Sequence, residues 1–445
     1  MKGAAERLNP RSDMSRQRVD RPDPSDPLLA CLGLTLGFFL LCLWRLWLPS
    51  TPYFDEIHYL PAARELLTGY DYRNPEHPPL GKEIIAAGIA IFGDNPWGWR
   101  IFSALAGALA LFAGMRALWH AGHRRDAVIA YGVLLATGFQ LFVHAQIAML
   151  DVFMVAFFLT ALWQLAAACR ARSVGSARRA LVLSGIALGC AIAAKWNAAP
   201  LAPLLGLGFL ALRWHAVGTA RVFTARNAWP VRGVGLVEAA LWLGVLPLAV
   251  YAATFWPAFA IEGSPLAQNE MGLIGAHLHM LELQQSVKEG HPYQSTWWQW
   301  VLNSRAIWYL YEVADGSQRG VLLIGNPLTM LLGLAGIVWC AGVGVMERRA
   351  DAAAAAILYA ASIGFWIIAA KPIQFYYHYF LPSCFLLAGL AIAIDWLKAH
   401  GAAWAWWAVL GGSIAVFAHF YPILSAAELW GEQAFNQWMW RDGWR

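Results

Sequence analysis

Runs of roughly 20 apolar residues recur along the chain, each about the length a helix needs to cross a bilayer. Hydrocarbon offers no partner for a backbone N–H or C=O, so such runs form helices and not irregular coil. Eleven can be counted, at about 28–48, 97–119, 127–143, 147–169, 180–194, 198–212, 236–255, 320–345, 353–370, 376–395 and 403–425. Only 13% of the 445 residues are charged and 59% are hydrophobic, whereas a soluble domain carries about 25% charged residues. The expectation is an all-α polytopic membrane protein with about 11 transmembrane helices. Only Lys195–Ala198 separates the fifth run from the sixth. It reads as a break at a membrane surface, because a charge in mid-bilayer costs several kcal/mol.

The charge distribution orients the chain. With the N-terminus in the cytoplasm, the inner segments hold His123–Asp126, Arg170–Arg179, residues 213–232 with four Arg, and Glu347–Asp351. About 20 of the 32 Lys and Arg then lie inside, as the positive-inside rule expects. Residues 1–27 are polar, rich in Arg, Asp and Pro, and lack an apolar segment. They read as a disordered cytoplasmic tail, leaving 28–445 as a single transmembrane domain. This describes a multi-pass plasma (inner) membrane protein whose longer loops face the outer, periplasmic side. The net charge of +5 reflects the short basic loops and points to no nucleic-acid partner. The six cysteines are scattered through apolar runs without CxxC spacing, so neither a zinc site nor a disulfide framework is expected.

Two outer segments are too long for simple turns, at about 49–96 and 256–319. Within the first, residues 56–67 and 79–93 have the apolar spacing of amphipathic helices lying at the interface. The inner loops carry no P-loop and no Gly-rich nucleotide fingerprint, which argues against a nucleotide-dependent reaction in the cytoplasm. Chemistry is therefore expected on the outer face.

Asp55 and Glu56 stand side by side there, just before a helix. The helix dipole alone favours acids at that place. Alternatively one of them is a carboxylate base at the membrane surface, its pKa tuned by partial burial. His77-Pro78-Pro79 is an extended turn. Lys82 follows at a helix start, where the dipole disfavours a cation and a bound phosphate would offset the cost. Arg100, Lys195 and Lys371 also fall at outer ends of spans. Snorkelling into headgroups would account for Arg100; Lys82, Lys195 and Lys371 are cations where the positive-inside rule expects few, and several such cations near one surface suit a lipid phosphate. Asp151 sits about one turn inside a span, where an acid is either ion-paired or functional. Residues 289–312 and 376–382 are dense in aromatics, as in a membrane-interface belt or a sugar or peptide groove. They add His291, Tyr293 and His378 as candidates. No paired His or acid at ligand spacing supports a metal.

Several short motifs follow one another in order: Tyr53–Glu56, His77–Lys82, Trp99–Gly107, Leu150–Phe153, Ala193–Asn197, His291–Trp300, Leu323–Pro327 and Tyr376–Pro382. In order and spacing the chain resembles the protein O-mannosyltransferase family over nearly all its length after residue 28. The resemblance implies a C-type glycosyltransferase fold, a polyprenyl-phosphate-linked mannose as donor, and a Ser or Thr hydroxyl of a secreted or membrane protein as acceptor. It implies Asp55 as the base, Glu56 beside it to orient acceptor or loop, and Arg100 and Lys82 on the donor phosphate. Eukaryotic members carry a large lumenal domain within the second outer loop. The loop here has no room for one, as in bacterial relatives.

The chemistry can be argued from the residues as well. A sugar on a lipid phosphate has a good leaving group, and nearby cations stabilise the departing phosphate. One carboxylate deprotonates the attacking hydroxyl, and a single displacement inverts the anomeric centre. The scheme needs no cofactor, and it neither requires a divalent metal nor leaves one without room. Two other readings stand beside it. A transferase of the same superfamily would deliver the sugar to lipid A or another glycolipid. A secondary transporter would line a path with Asp151 and the outer cations, but should show repeated halves and helices broken at mid-membrane.

Overall fold

The computed structural model describes residues 25–261, 264, 267–268, 272–286, 290–369 and 371–445. The tail expected at 1–27 lies, up to residue 24, outside the described residues. Among the described residues nine helices are long and apolar enough to cross a membrane: Pro96–Gly122, Leu150–Arg170, Val174–Ala194, Trp196–Val217, Leu236–Ala260, Pro327–Met346, Ala350–Ile368, Tyr376–Ala399 and Ala403–Leu424. The first expected span appears as the shorter helix Leu28–Leu43. The span expected at 127–143 is broken into Arg125–Ala136 and Gln140–His144, with Phe139 at φ 76° between them.

That break is satisfied from elsewhere in the chain. Asn326 donates its backbone N–H to Gly138 O (3.2 Å) and its Nδ2 to Thr137 O (3.0 Å) and Ser413 O (3.1 Å). The carbonyls of Thr137 and Gly138 at the break thus have partners, as burial away from water requires. Asn326 also caps the next helix, accepting from Leu328 N–H, with Pro327 at the first helical position.

The all-α expectation holds except for one hairpin. Residues 320–323, read as the start of a membrane span, belong instead to a strand, and the helix begins only at Pro327. Ile307–Ala314 (β1) and Ser317–Leu323 (β2) pair antiparallel, with Ala314 opposite Ser317. The two residues between them, Asp315 (φ 49°) and Gly316 (φ 76°), both have the left-handed backbone of a tight hairpin turn.

The two ends of the bundle differ in character. At one end Arg116 pairs with Asp26, Arg124 with Asp395, Lys398 with Asp126 (2.7 Å) and Arg178 with Glu238 (2.6 Å). These are the loops expected inside. Both long segments gather at the other end. Ser50 donates its N–H to Asp315 Oδ2 (3.0 Å), and Trp444 donates from Nε1 to Asn303 O (2.9 Å), which brings the C-terminal residues there too. The Tyr376–Ala399 helix is the most enclosed, with 78% of its apolar window buried, against 22% for Trp196–Val217 and Leu236–Ala260 at the periphery.

The expected amphipathic segments are helices, Glu56–Thr68 and Leu80–Phe92. The second crosses the start of Pro96–Gly122 at glycines. A Cβ on Gly98 would lie 2.0 Å from Gly93 O, and one on Gly88 2.3 Å from Gly98 O. Only glycine allows this approach, which brings the helix bearing Lys82 close to the helix bearing Arg100.

Candidate active site

Of the two adjacent acids, one is fully committed. Glu56 and Arg100 are both completely buried and joined in two parallel bonds, Nε to Oε1 and Nη2 to Oε2, each 2.8 Å. Glu56 also accepts from Ala148 N–H (2.9 Å) and Tyr53 N–H (3.2 Å). The other Arg100 hydrogens go to Leu46 O (3.2 Å), Pro49 O (2.8 Å) and Thr51 O (3.4 Å). A guanidinium has five N–H donors, and each has an acceptor within the protein. Arg100, expected as a phosphate ligand, and Glu56, expected beside the base to orient acceptor or loop, therefore tie the loop at 46–56 to two neighbouring segments.

Lys82 is spent in the same way. It is fully buried, and its ammonium donates to Asn74 O (2.5 Å), His77 O (3.0 Å) and Tyr72 Oη (3.3 Å). Loss of hydration pushes it down to about 7. An ammonium has three donors, so Lys82 holds the turn at 72–77 and has no hydrogen left for a phosphate.

Asp55 is the acid left uncommitted. It is half-buried and sits at the N-cap of Glu56–Thr68, yet its side chain makes no capping bond. It stands at the helix start, where the dipole favours an acid, but it does no capping there. Its carboxylate accepts one long bond, from Tyr59 Oη at 3.4 Å. Burial raises its pKa above the usual carboxylate range, and the Lys195 ammonium opposes that rise. Just before it, Phe54 has a left-handed backbone (φ 51°), sparsely populated for a bulky residue. The Phe54 ring is held by stacking on Tyr309 at 3.9 Å and by an edge contact with Tyr377 at 6.3 Å. Tyr309 in turn donates from Oη to His144 Nε2 (3.1 Å), while His144 Nδ1 donates to Gln140 O (2.8 Å).

Asp151 and Lys195 join at 2.7 Å, both buried, with the Lys195 ammonium 4.8 Å from the centre of the Tyr377 ring. Asp151 Oδ1 is buried without a partner. Lys195 lies at the break expected from the sequence, in extended backbone between Val174–Ala194 and a 3-10 turn at Trp196–Ala198. Among the described residues it has no other hydrogen-bond acceptor, which leaves two of its three N–H donors.

Lys371 faces a cavity of 530 Å³ lined also by Glu76, His77, Gln284, His291 and Phe375. That volume is within the range of small-ligand clefts, about 300–1,000 Å³. No hydrogen bond or ion pair joins Lys371 to any described residue. Burial and the neighbouring Lys195 bring it down to about 8, while Asp151 and Asp55 act in the opposite sense. Lys371 thus belongs electrostatically to the Asp55 cluster. His77 is held neutral, well below its ordinary pKa, by burial and by Lys195, Lys82 and Lys371. Its Nδ1 lies 3.4 Å from Gln284 Nε2.

The aromatic candidates separate. His291 is exposed on the cavity rim, its Nδ1 accepting from Tyr293 N–H at 3.1 Å. Tyr293 packs partly buried against the core. His378 is buried beside Trp366, ring centres 4.0 Å apart, and its Nδ1 accepts from Phe375 N–H at 3.0 Å. It shapes the turn that carries Tyr377. Among the described residues no group of three His, Cys, Asp or Glu side chains is placed to hold a metal.

Sequence reasoning missed Phe54, Tyr59, Tyr309 and Tyr377. Tyr59 was legible, four residues past Asp55 and so on the same helix face. Tyr309 and Tyr377 lie in the two aromatic-dense segments, but these are distant in the chain and no local signal ties them to Asp55.

A family model described as dolichyl-phosphate-mannose-protein mannosyltransferase matches residues 90–261, and one for the C-terminal four-helix region of protein O-mannosyltransferase matches 271–444. The polyprenol-phosphate-mannose–protein mannosyltransferase of Mycobacterium tuberculosis is 27% identical over 89% of this chain and 87% of its own length. The enzyme of the same description from Corynebacterium glutamicum is 25% identical over 78% of each chain. In fold the chain is similar to the Saccharomyces cerevisiae protein O-mannosyltransferase Pmt1–Pmt2 complex. The TM-score is 0.79 at 14% identity, over 94% of this chain and 92% of that one. It is also similar to ArnT of Cupriavidus metallidurans, with a TM-score of 0.58 at 17% identity over 89% and 77%.

Proposed function

Because the chain belongs to the dolichyl-phosphate-mannose–protein mannosyltransferase family, we propose that its uncommitted carboxylate, Asp55, is the base of the transfer. The chain is a multi-pass membrane enzyme that moves mannose from a polyprenyl-phosphate carrier to protein. The acceptor group is a Ser or Thr hydroxyl, and the reaction runs on the outer, periplasmic face, where both long segments gather.

One observation carries the assignment. Glu56 is closed off by Arg100, whereas Asp55 beside it keeps a nearly bare carboxylate within the influence of Lys195. Burial raises the Asp55 pKa, and a carboxylate so raised is a stronger base toward the attacking hydroxyl. Asp55 takes the hydroxyl proton as the oxygen attacks C1 of mannose from the face opposite the phosphate. The C1–O bond to phosphate breaks with its electron pair, and the configuration inverts. Lys371 and the free hydrogens of Lys195 meet the charge developing on the leaving phosphate. The cavity at Lys371 takes the donor head group, and the polyprenyl tail runs into the bilayer between helices. Asp151 holds Lys195 in place. No step of this scheme requires a metal.

The test is incubation of membranes with radiolabelled polyprenyl-phosphate-mannose, followed by separation of protein from lipid. Asp55→Asn should abolish label in protein while the enzyme remains folded and inserted. Normal labelling by that variant would remove Asp55 from the reaction, and label confined to a glycolipid would overturn the protein acceptor.

A further inference from the structure

A groove lies on the same end of the molecule, at the far tip of the hairpin. We propose that this groove, between the hairpin tip and Leu429–Glu432, binds the acceptor polypeptide about four residues along the chain from the hydroxyl that is glycosylated. The inference rests on the transfer reading above.

The hairpin is fixed at both ends to the loop bearing Asp55. Near its base Tyr309 stacks on Phe54, the residue before Asp55, and at its tip Asp315 accepts from the Ser50 N–H and hydroxyl. It is therefore a rigid rod leading from the reacting carboxylate. From Tyr309 to Val313 is roughly 13 Å, at about 3.3 Å per residue of strand. An extended acceptor laid along it covers the same distance in about four residues.

The groove at that point measures 510 Å³ and is lined by Val313, Gly316, Gln318, Leu429, Trp430 and Glu432. Val313 is 69% exposed and Trp430 97% exposed. A bare tryptophan beside an exposed valine is what a binding hot spot offers before its partner arrives. Leu429 N–H donates to Gln318 O (2.9 Å) at the edge of β2, which holds the segment bearing Trp430 against the hairpin.

Charge selects the occupant. Exposed Glu432 lines the groove, the exposed Glu312 and Glu428 stand next in sequence to its residues Val313 and Leu429, and Arg319 is buried, tied to Ala314 O and Ala426 O. An acidic rim repels anionic lipid headgroups. It accepts a neutral or basic polypeptide with an apolar side chain for Trp430 and Val313. An extended segment is also the form in which a hydroxyl can reach a half-buried carboxylate.

The experiment uses the full-length enzyme with radiolabelled polyprenyl-phosphate-mannose and two synthetic acceptors. One peptide extends six residues to each side of a single Ser, and the other only two. Trp430→Ala and Val313→Asp should each raise KM for the long peptide about tenfold, the weight of an ordinary hot-spot side chain. Neither should change KM for the donor or kinetics with the short peptide. A photo-crosslinker four residues from the Ser should label residues 313–318 or 429–432. An unchanged KM for the long peptide, or equal losses on both peptides, overturns the groove. So does activity lost in vesicles and kept in detergent, which would put Trp430 in the bilayer surface. Asp55→Asn runs in parallel, so failure of the groove alone is distinguishable from failure of the transfer reading.

Discussion

Replacing Arg100 by methionine separates a structural role from a phosphate-binding one. The substitution strands the Glu56 carboxylate, fully buried, with only the Ala148 and Tyr53 N–H groups as partners. It also removes the donors to Leu46 O, Pro49 O and Thr51 O. Breaking a buried ion pair on one side costs about 3–5 kcal/mol, enough to consume much of a typical folding free energy. Adding Glu56→Gln removes the stranded charge and keeps an acceptor for Ala148 N–H. The double variant should recover about 1–3 kcal/mol, the penalty for one unsatisfied buried group. The assay is the fraction of detergent-purified protein that stays monodisperse after heating, for the parent, both single variants and the double variant. The cycle should show strong positive coupling, with activity following folded fraction. If Arg100→Met is as stable as the parent and raises donor KM instead, the guanidinium faces the phosphate and the reasoning fails.

Four further outcomes follow from the site. Lys371→Ala should raise donor KM with little loss of stability. Because Lys371 loses its proton near pH 8, donor affinity should weaken above that pH in the parent and persist to about pH 9 in Lys371→Arg, whose charge does not titrate there; identical pH profiles would refute the contact. Lys82→Met should loosen the turn at 72–77, seen as faster amide exchange there. Native Lys82 releases its proton near 7 and the unfolded chain near 10.5, so the folded state binds fewer protons in that window and stability from this residue rises with pH across it; the variant should lose that rise. Asp55 has the opposite sign: its raised pKa favours the folded state below the ordinary value of 3.8, and that contribution is lost as pH rises through the folded pKa. Asp55→Asn should therefore be slightly more heat-stable than the parent at neutral pH while inactive, and no gain in melting temperature would count against the buried carboxylate. Gly98→Ala should reduce folded yield, since its Cβ meets Gly93 O at 2.0 Å, and a normal yield would show that the helix crossing is slack.

The sequence by itself determined the membrane helices, the two long segments at one end and the basic loops at the other. These rest on local quantities: run length, loop charge, and the cost of placing Lys195 within a span. It also contained a signal that hydropathy concealed. Asp315–Gly316 is a strong two-residue hairpin signal, but the apolar residues of β2 run on toward the following helix, and counting hydrophobicity fused the two. The order of motifs carried the family.

What only the tertiary structure decided is which charges are free. Asp55 and Glu56 are indistinguishable as neighbouring acids. Arg100, 44 residues away, closes one and leaves the other open. Lys82, Arg100, Lys195 and Lys371 look equivalent as cations at one surface. Whether each has donors to spare depends on which carbonyls and carboxylates the fold brings to it. Hydrogen-bond capacity is used up by long-range contacts, so no local pattern in the chain could reveal that two of the four were already occupied.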